Sequence, residues 1–223
     1  MAHRLRTLGI LMAVIGIVFA AGGAYGMTQV DAGERSLQKF SEAQNITLNY
    51  NEDGELVDRG TTEGAEAIMT LLTEDWGYPV KESELDPSDP LVNTASEYMY
   101  QMATIGYHVL HGSQTVQLEE DAEYEGQEFE AGTYTFDVDG RYWTAFDRQH
   151  PVEGPARGQA WSGTAHALIA ELGVGTVTAS SLQLGFAVSL MILAFGGATI
   201  VLGAGLIWAS SGAESDANAA TAS

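Results

Sequence analysis

The chain has 223 residues, 30 acids against 9 lysines and arginines, a formal net charge of −21, and no cysteine. Charge of that sign repels nucleic acid and anionic lipid headgroups, and the missing thiols exclude disulfides, zinc–thiolate sites and cysteine nucleophiles. The acids are not spread evenly: 28 of the 30, with 7 of the 9 basic residues, lie between Asp31 and Ser180, so that stretch carries the whole −21.

Two long apolar runs bracket it. Leu8 to Met27 and Leu182 to Ala209 contain no charged residue. Each is long enough as a helix to cross a hydrocarbon core of about 30 Å. Arg4 and Arg6 precede the first run and Asp31 follows it, so the positive-inside bias puts the N-terminus in the cytoplasm. The expected organisation is residues 1–7 in the cytoplasm, 8–29 as a transmembrane helix, 30–180 as an acidic extracytoplasmic α+β domain, 181–209 as a second transmembrane helix, and 210–223 as a disordered cytoplasmic tail. The first run reads as an uncleaved anchor. Ala24 and Gly26 also suit a signal-peptide cleavage site, and both readings put the middle outside. Gly22 and Gly26 form a G-x-x-x-G spacing, and Gly196, Gly197, Gly203 and Gly205 recur in the second run. Small residues let helices approach closely in lipid, either within the chain, in a homo-oligomer or against another membrane protein.

Within the domain, Asp31 to Asn45 reads as a helix continuing out of the membrane. Ile46 to Tyr50 and Glu55 to Asp58 read as short strands around an Asn51–Gly54 turn. Asn45-Ile46-Thr47 matches a glycosylation sequon, a triplet that chance produces often. Thr61 or Thr62 caps a helix running to Trp76, which Gly77 and Pro79 stop. Asp89 as N-cap and Pro90 at the first helical position predict the next helix, with Leu91, Ala95, Tyr98, Met102, Ile105 and Val109 as its apolar stripe and Gly112 as its end. Gln114 to Leu118 reads as a strand, and the seven acids from Glu119 to Glu130 as a solvated turn or edge. Thr133–Val138 and Arg141–Phe146 flank Asp139-Gly140, which predicts a hairpin pairing Phe136 with Trp143 and Thr135 with Thr144. A helix is expected near Gln159 to Leu172.

Candidate chemistry is sparse. His108 and His111 stand three apart on the long helix, on a face with Glu97, Gln101 and Thr104. Two imidazoles from neighbouring turns can share a metal, with His150, His166 or an acid completing the set, and Met99 and Met102 would favour copper over zinc. The sequence lacks the H-E-x-x-H pattern of a zinc protease, a nucleotide loop and a G-x-S-x-G elbow. The acidic stretch lacks the Asp and Gly pattern of a calcium loop.

The run from Asp86-Pro87-Ser88-Asp89-Pro90-Leu91 through Glu97-Tyr98-Met99-Tyr100-Gln101-Met102 to Tyr107-His108-Val109-Leu110-His111-Gly112, with its two flanking spans, resembles small two-span membrane proteins of high-GC Gram-positive bacteria. The resemblance implies architecture and no catalytic residue. The expectation is therefore a membrane-anchored accessory or interaction protein of the cell envelope, without enzymatic activity or cofactor. Its partners would be the lipid bilayer and a membrane protein or second copy. The alternative is a metal-binding envelope protein using His108 and His111.

Overall fold

The computed structural model describes the backbone from Ala2 to Thr221 and the side chains as far as Gly212. Five α-helices and four strands follow in the order α1 (Ala2–Gln44), α2 (Thr62–Thr70), α3 (Ala95–Leu110), β1 (Ser113–Leu118), β2 (Ala122–Tyr124), β3 (Gln127–Phe129), β4 (Gly132–Asp137), α4 (Glu153–Ala160) and α5 (Gly163–Thr221). The expected layout is present: two long apolar helices flank a small α+β region. The chain forms two compact units, a helical pair up to Gln38 and from Ser180 onward, and a domain spanning Lys39–Ala179. The expected tail beginning at Ser210 continues α5 as far as Thr221, and Ala222 and Ser223 lie outside the described residues.

In the helical pair, α1 and α5 run antiparallel along a seam of glycines seven residues apart. A Cβ added to Gly9 would lie 2.6 Å from the Gly203 carbonyl oxygen, and one added to Gly16 would lie 2.7 Å from that of Gly196. Gly23 meets the Leu193 backbone, and Gly203 in turn meets Gly9 and Ala13. A repeat of seven keeps one seam in register when two helices wind left-handedly. The anticipated Gly22–Gly26 motif divides: Gly26 lies against Ser189, whereas Gly22 faces outward with nothing within 4 Å. Gly197 and Gly205 are also free of neighbours, while Gly196 and Gly203 are in the seam. Spacing of four marks one face of one helix; the contact between two helices selects the sevens.

The domain is built around α3. Thr94 caps it: its hydroxyl accepts from the Glu97 N–H at 3.3 Å, and the Glu97 carboxylate accepts from the Thr94 N–H at 2.9 Å. This reciprocal pair replaces the expected Asp89–Pro90 start. Pro90 is unavailable because its carbonyl accepts from the Leu48 N–H at 2.8 Å, and Val92 donates to Ile46 at 2.9 Å, holding the residues before the helix extended. No residue of α3 is exposed, and burial follows the apolar stripe only in its first half. Ala95 and Tyr98 of the stripe are buried, together with Ser96, Glu97, Tyr100, Ala103, Gly106 and Leu110 off it, while Met102, Ile105 and Val109 of the stripe are only half-buried. Tyr98 ties α3 to both long helices: its hydroxyl bonds Ser41 of α1 at 2.8 Å, and its ring lies where Gly175 of α5 lacks a Cβ.

Thr61 caps α2 through the Gly64 N–H, as expected, and α2 continues in one wider turn, Leu71–Asp75, until Gly77 at φ +64° ends it. The 46–58 segment makes isolated bridges, Thr47 to Leu91 and Tyr50 to Leu56, instead of two full strands. The two strand pairs are both antiparallel. β1 pairs with β4, with Val116 opposite Tyr134, and β2 pairs with β3 around a turn at Glu125 and Gly126. The acidic stretch is thus a hairpin of its own. The sequence signal there is Gly126 behind Glu125, both at positive φ.

The Asp139-Gly140 hairpin is corrected. Both residues have the positive φ that such a turn needs, +49° and +74°, and Arg141 closes it onto the Val138 carbonyl at 3.0 Å. No strand returns beside β4, because β1 already occupies that edge and the Gly140 N–H is taken by the Leu110 carbonyl at 2.8 Å. Trp143–Ala145 forms a short helical turn instead. Leu71, Leu110, Val138, Phe146, Ala160 and Trp161 make the larger core beneath it, and Val116, Val152 and Ala156 a smaller one.

Two expected outcomes follow from these positions. Gly16→Leu must push backbone away from backbone and should destabilise the helical pair by about 1–3 kcal/mol, whereas Gly22→Leu should stay within about 0.5 kcal/mol of the parent. Denaturant titration of the intact protein in detergent micelles measures both. Gly140→Val places a β-branched residue at positive φ and should cost on the order of 1–3 kcal/mol in the same assay.

Candidate functional site

The chemistry-bearing side chains of the domain concentrate on one face of α3, where Glu97, Tyr100, Thr104 and His108 recur every three or four residues. The 46–58 segment crosses this face. It is pinned at one end by the Leu48–Pro90 and Ile46–Val92 bonds, and at the other by Asp58, whose carboxylate accepts from His108 Nε2 at 2.9 Å. Between the pins the chain turns tightly: Asn51 Oδ1 accepts from the N–H groups of Asp53 and Glu55, and Val57 donates to the Asn49 carbonyl. Tyr50 sits just before that turn.

This face is unusual in its polarity. Glu97 is 2 % exposed and Tyr100 3 %. The Glu97 carboxylate accepts three hydrogen bonds, from the N–H groups of Asn93 and Thr94 and from the Thr94 hydroxyl, all on Oε2. Burial nevertheless outweighs them and raises its pKa above the ordinary carboxylate range. The hydroxyls of Tyr50 and Tyr100 are both shielded from solvent and neither has a hydrogen-bond partner. Burial, helped by the negative Glu97 and Asp86, pushes Tyr50 up to about 12, and burial with Asp58 and Tyr50 pushes Tyr100 up as well. The sequence marks Glu97 as a member of this helix face but gives no sign of its burial or of the two tyrosines beside it. The one available signal was Thr94-Ala95-Ser96-Glu97, a capping-box pattern that buries an acid at the third helical position.

The histidines disperse. His108 is engaged by Asp58, and His111 Nδ1 donates to the Tyr107 carbonyl of its own helix at 2.9 Å while its ring lies on that of Tyr107. His150 heads α4, its Nδ1 accepting from the Val152 and Glu153 N–H groups. His166 stands on α5 between the Trp143 and Trp161 rings. Among the described residues no three His, Cys, Asp or Glu side chains come together in a group that could hold a metal ion.

Elsewhere the polar groups serve packing. Arg157 stacks on Trp143, 3.2 Å from the ring centroid, and Arg141 pairs with Glu153 at 2.9 Å while lying over Phe136. Tyr124 donates to Asp147, which holds that carboxyl below its usual range. The β2–β3 hairpin frames a shallow hollow of about 280 Å³, lined by Asp121, Glu123, Glu128 and Glu130 with Ala122 and Phe129.

If His108 and His111 serve structure alone, adding zinc or copper should leave the melting temperature unchanged. His108→Ala should then cost about 1–2 kcal/mol, because its carboxylate partner is left in a partly buried place, and His111→Ala less than about 0.5 kcal/mol. Thermal melts of the parent and both variants, with and without metal, separate this from a metal site, where metal would raise the parent melt and the double variant would abolish the rise. No protein-family model, curated protein or solved structure matches the chain.

Proposed function

We propose that the protein is a two-span membrane protein that holds its acidic domain on the extracytoplasmic face and acts there as a non-enzymatic accessory or interaction subunit. One observation carries the membrane placement. Both long helices are apolar, yet only 17 % of the most apolar stretch of each is buried. Outside the glycine seam, side chains such as Val18, Met191 and Val201 point outward. In water such a surface would be exposed at great cost; in hydrocarbon it is solvated.

The aromatic residues support the same reading. Tyr25 is 67 % exposed and Trp208 81 %. Because Gly9 lies against Ile207 and Gly26 against Ser189, Trp208 is level with the start of the apolar run in α1 and Tyr25 with its end. Leu8 and Tyr25 are 17 residues apart, a rise of about 26 Å along a helix, close to a hydrocarbon core. Amphipathic rings favour the two edges of a bilayer. Arg4 and Arg6 lie beyond one edge, Asp31 and Glu34 beyond the other. That asymmetry favours a cytoplasmic N-terminus.

The domain is tethered at both ends by these helices, which suits a part that works at the membrane surface with other membrane proteins. A reporter active only outside the cytoplasm should function when fused after Gly140 and fail when fused after Ser223. The reverse pattern overturns the sidedness. Purification of the full chain in mild detergent should recover a stoichiometric membrane partner or a second copy; a monomer without partner contradicts the interaction role.

A further inference from the structure

We propose that Asn45 is the attachment site of an N-linked glycan, added outside the cytoplasm at the triplet Asn45-Ile46-Thr47. The inference rests on the extracytoplasmic placement of the domain.

The acceptor chemistry needs an asparagine carboxamide, then any residue but proline, then a hydroxyl. The chain has five asparagines, and only Asn45 is followed by that pattern. A triplet supplied by chance falls as readily inside a helix or a core as on a turn. This one falls on a turn. Asn45 is the first residue past α1, its N–H donates to the Ser41 carbonyl at 2.8 Å, and its φ of +51° turns the chain out of the helix.

Exposure separates the residues the chemistry needs from those it does not. Asn45 and Thr47 are exposed, while Ile46 between them is half-buried and Leu48 after them is buried. Neither the Asn45 carboxamide nor the Thr47 hydroxyl is engaged in a hydrogen bond among the described residues. Glu42, Ala43 and Gln44 are exposed as well, so a bulky, hydrated sugar at Asn45 displaces no packed side chain.

The position along α1 also suits a membrane-bound transferase. From Asp31, the first acid after the apolar run, α1 continues for 13 residues to Gln44. That is a rise of about 20 Å, more than the roughly 5–8 Å of headgroups on one side of a bilayer. The bonds that pin the triplet come late. Pro90 and Val92, which bond Leu48 and Ile46, stand 45 and 47 residues after Asn45, so the emerging triplet is free before they arrive.

The donor is a sugar carried on a polyprenyl phosphate or pyrophosphate. The Asn45 amide nitrogen attacks the anomeric carbon, a C–N bond forms, and the C–O bond to phosphate breaks. The lipid phosphate leaves with the electron pair, and the amide proton passes to a base of the transferase.

The competing explanation is that asparagine tolerates positive φ at a helix end. It accounts for Asn45 and says nothing of the exposed hydroxyl at Thr47. Glycine tolerates the same φ without a carboxamide, so Asn45→Gly keeps the turn and removes the acceptor.

The test is intact-mass and peptide mass spectrometry of the full chain, purified in mild detergent from the organism that makes it. The expected result is a mass above that of the polypeptide by at least one sugar residue, localised to the peptide containing Asn45. Asn45→Gly and Thr47→Ala should both remove the added mass, and Thr47→Ser should retain it. External protease on intact cells reports the sidedness of the domain in the same preparation. A bare Asn45 in a domain cleaved from outside overturns the glycan and leaves the placement standing. A domain protected from the protease overturns the placement and the glycan with it. Added sugar that survives in both Asn45→Gly and Thr47→Ala also overturns the assignment.

Discussion

The closest constraint in this molecule is the contact between the backbones of α1 and α5. At Gly9, Gly16, Gly196 and Gly203 there is no room for a single added carbon, because the opposing atoms are peptide groups that cannot rotate away. The seam fixes the register of two helices that carry almost all the exposed large apolar side chains among the described residues. In lipid there is no hydrophobic drive to bring such helices together, so close packing of small residues is the force available. The seam uses the inward glycines for that purpose and leaves Leu11, Val14, Val18, Leu190, Met191 and Val201 to face outward.

The domain depends on a different kind of contact. α3 has no exposed residue, and polar groups are buried along it together with apolar ones. Where partners exist they are used fully. Thr94 and Glu97 close the helix start, Ser96 accepts from the Lys81 N–H, and Tyr98 reaches Ser41. Where they do not, at Tyr50 and Tyr100, the structure holds unpaired hydroxyls beside a buried acid.

Sequence periodicity revealed the large divisions because they rest on long signals. Twenty uncharged residues, a Thr61 cap and a Gly77 stop each act locally, and each appears as expected. The misread elements depended on distant partners. Asp139-Gly140 adopts the turn its residues demand, yet the pairing goes to β1, which lies some twenty residues upstream. Asp89 and Pro90 were good local starters, but pairing with the 46–48 segment holds them extended and moves the helix start to Thr94. The glycine seam was half legible: the small residues were visible, whereas the spacing of seven emerges only from two helices together. In the candidate site, His108 and His111 stand out in the sequence because imidazole is a conspicuous metal ligand. The buried acid and tyrosines are ordinary residues until their surroundings are known.

The antiparallel pairing of α1 and α5 in the register of the glycine seam is what a bilayer-embedded hairpin requires. Phe19 and Phe195 meet edge to face there, with ring centroids 5.3 Å apart. The chain has no cysteine of its own, so a Phe19→Cys, Phe195→Cys double variant carries only the two introduced thiols. Oxidation in native membranes, followed by proteolytic cleavage of the intervening domain, reads out whether the two helices remain linked. The expected result is an intramolecular disulfide that keeps the two fragments together until reduced. Fragments that separate under oxidising conditions, or that link only between two copies of the chain, would contradict it.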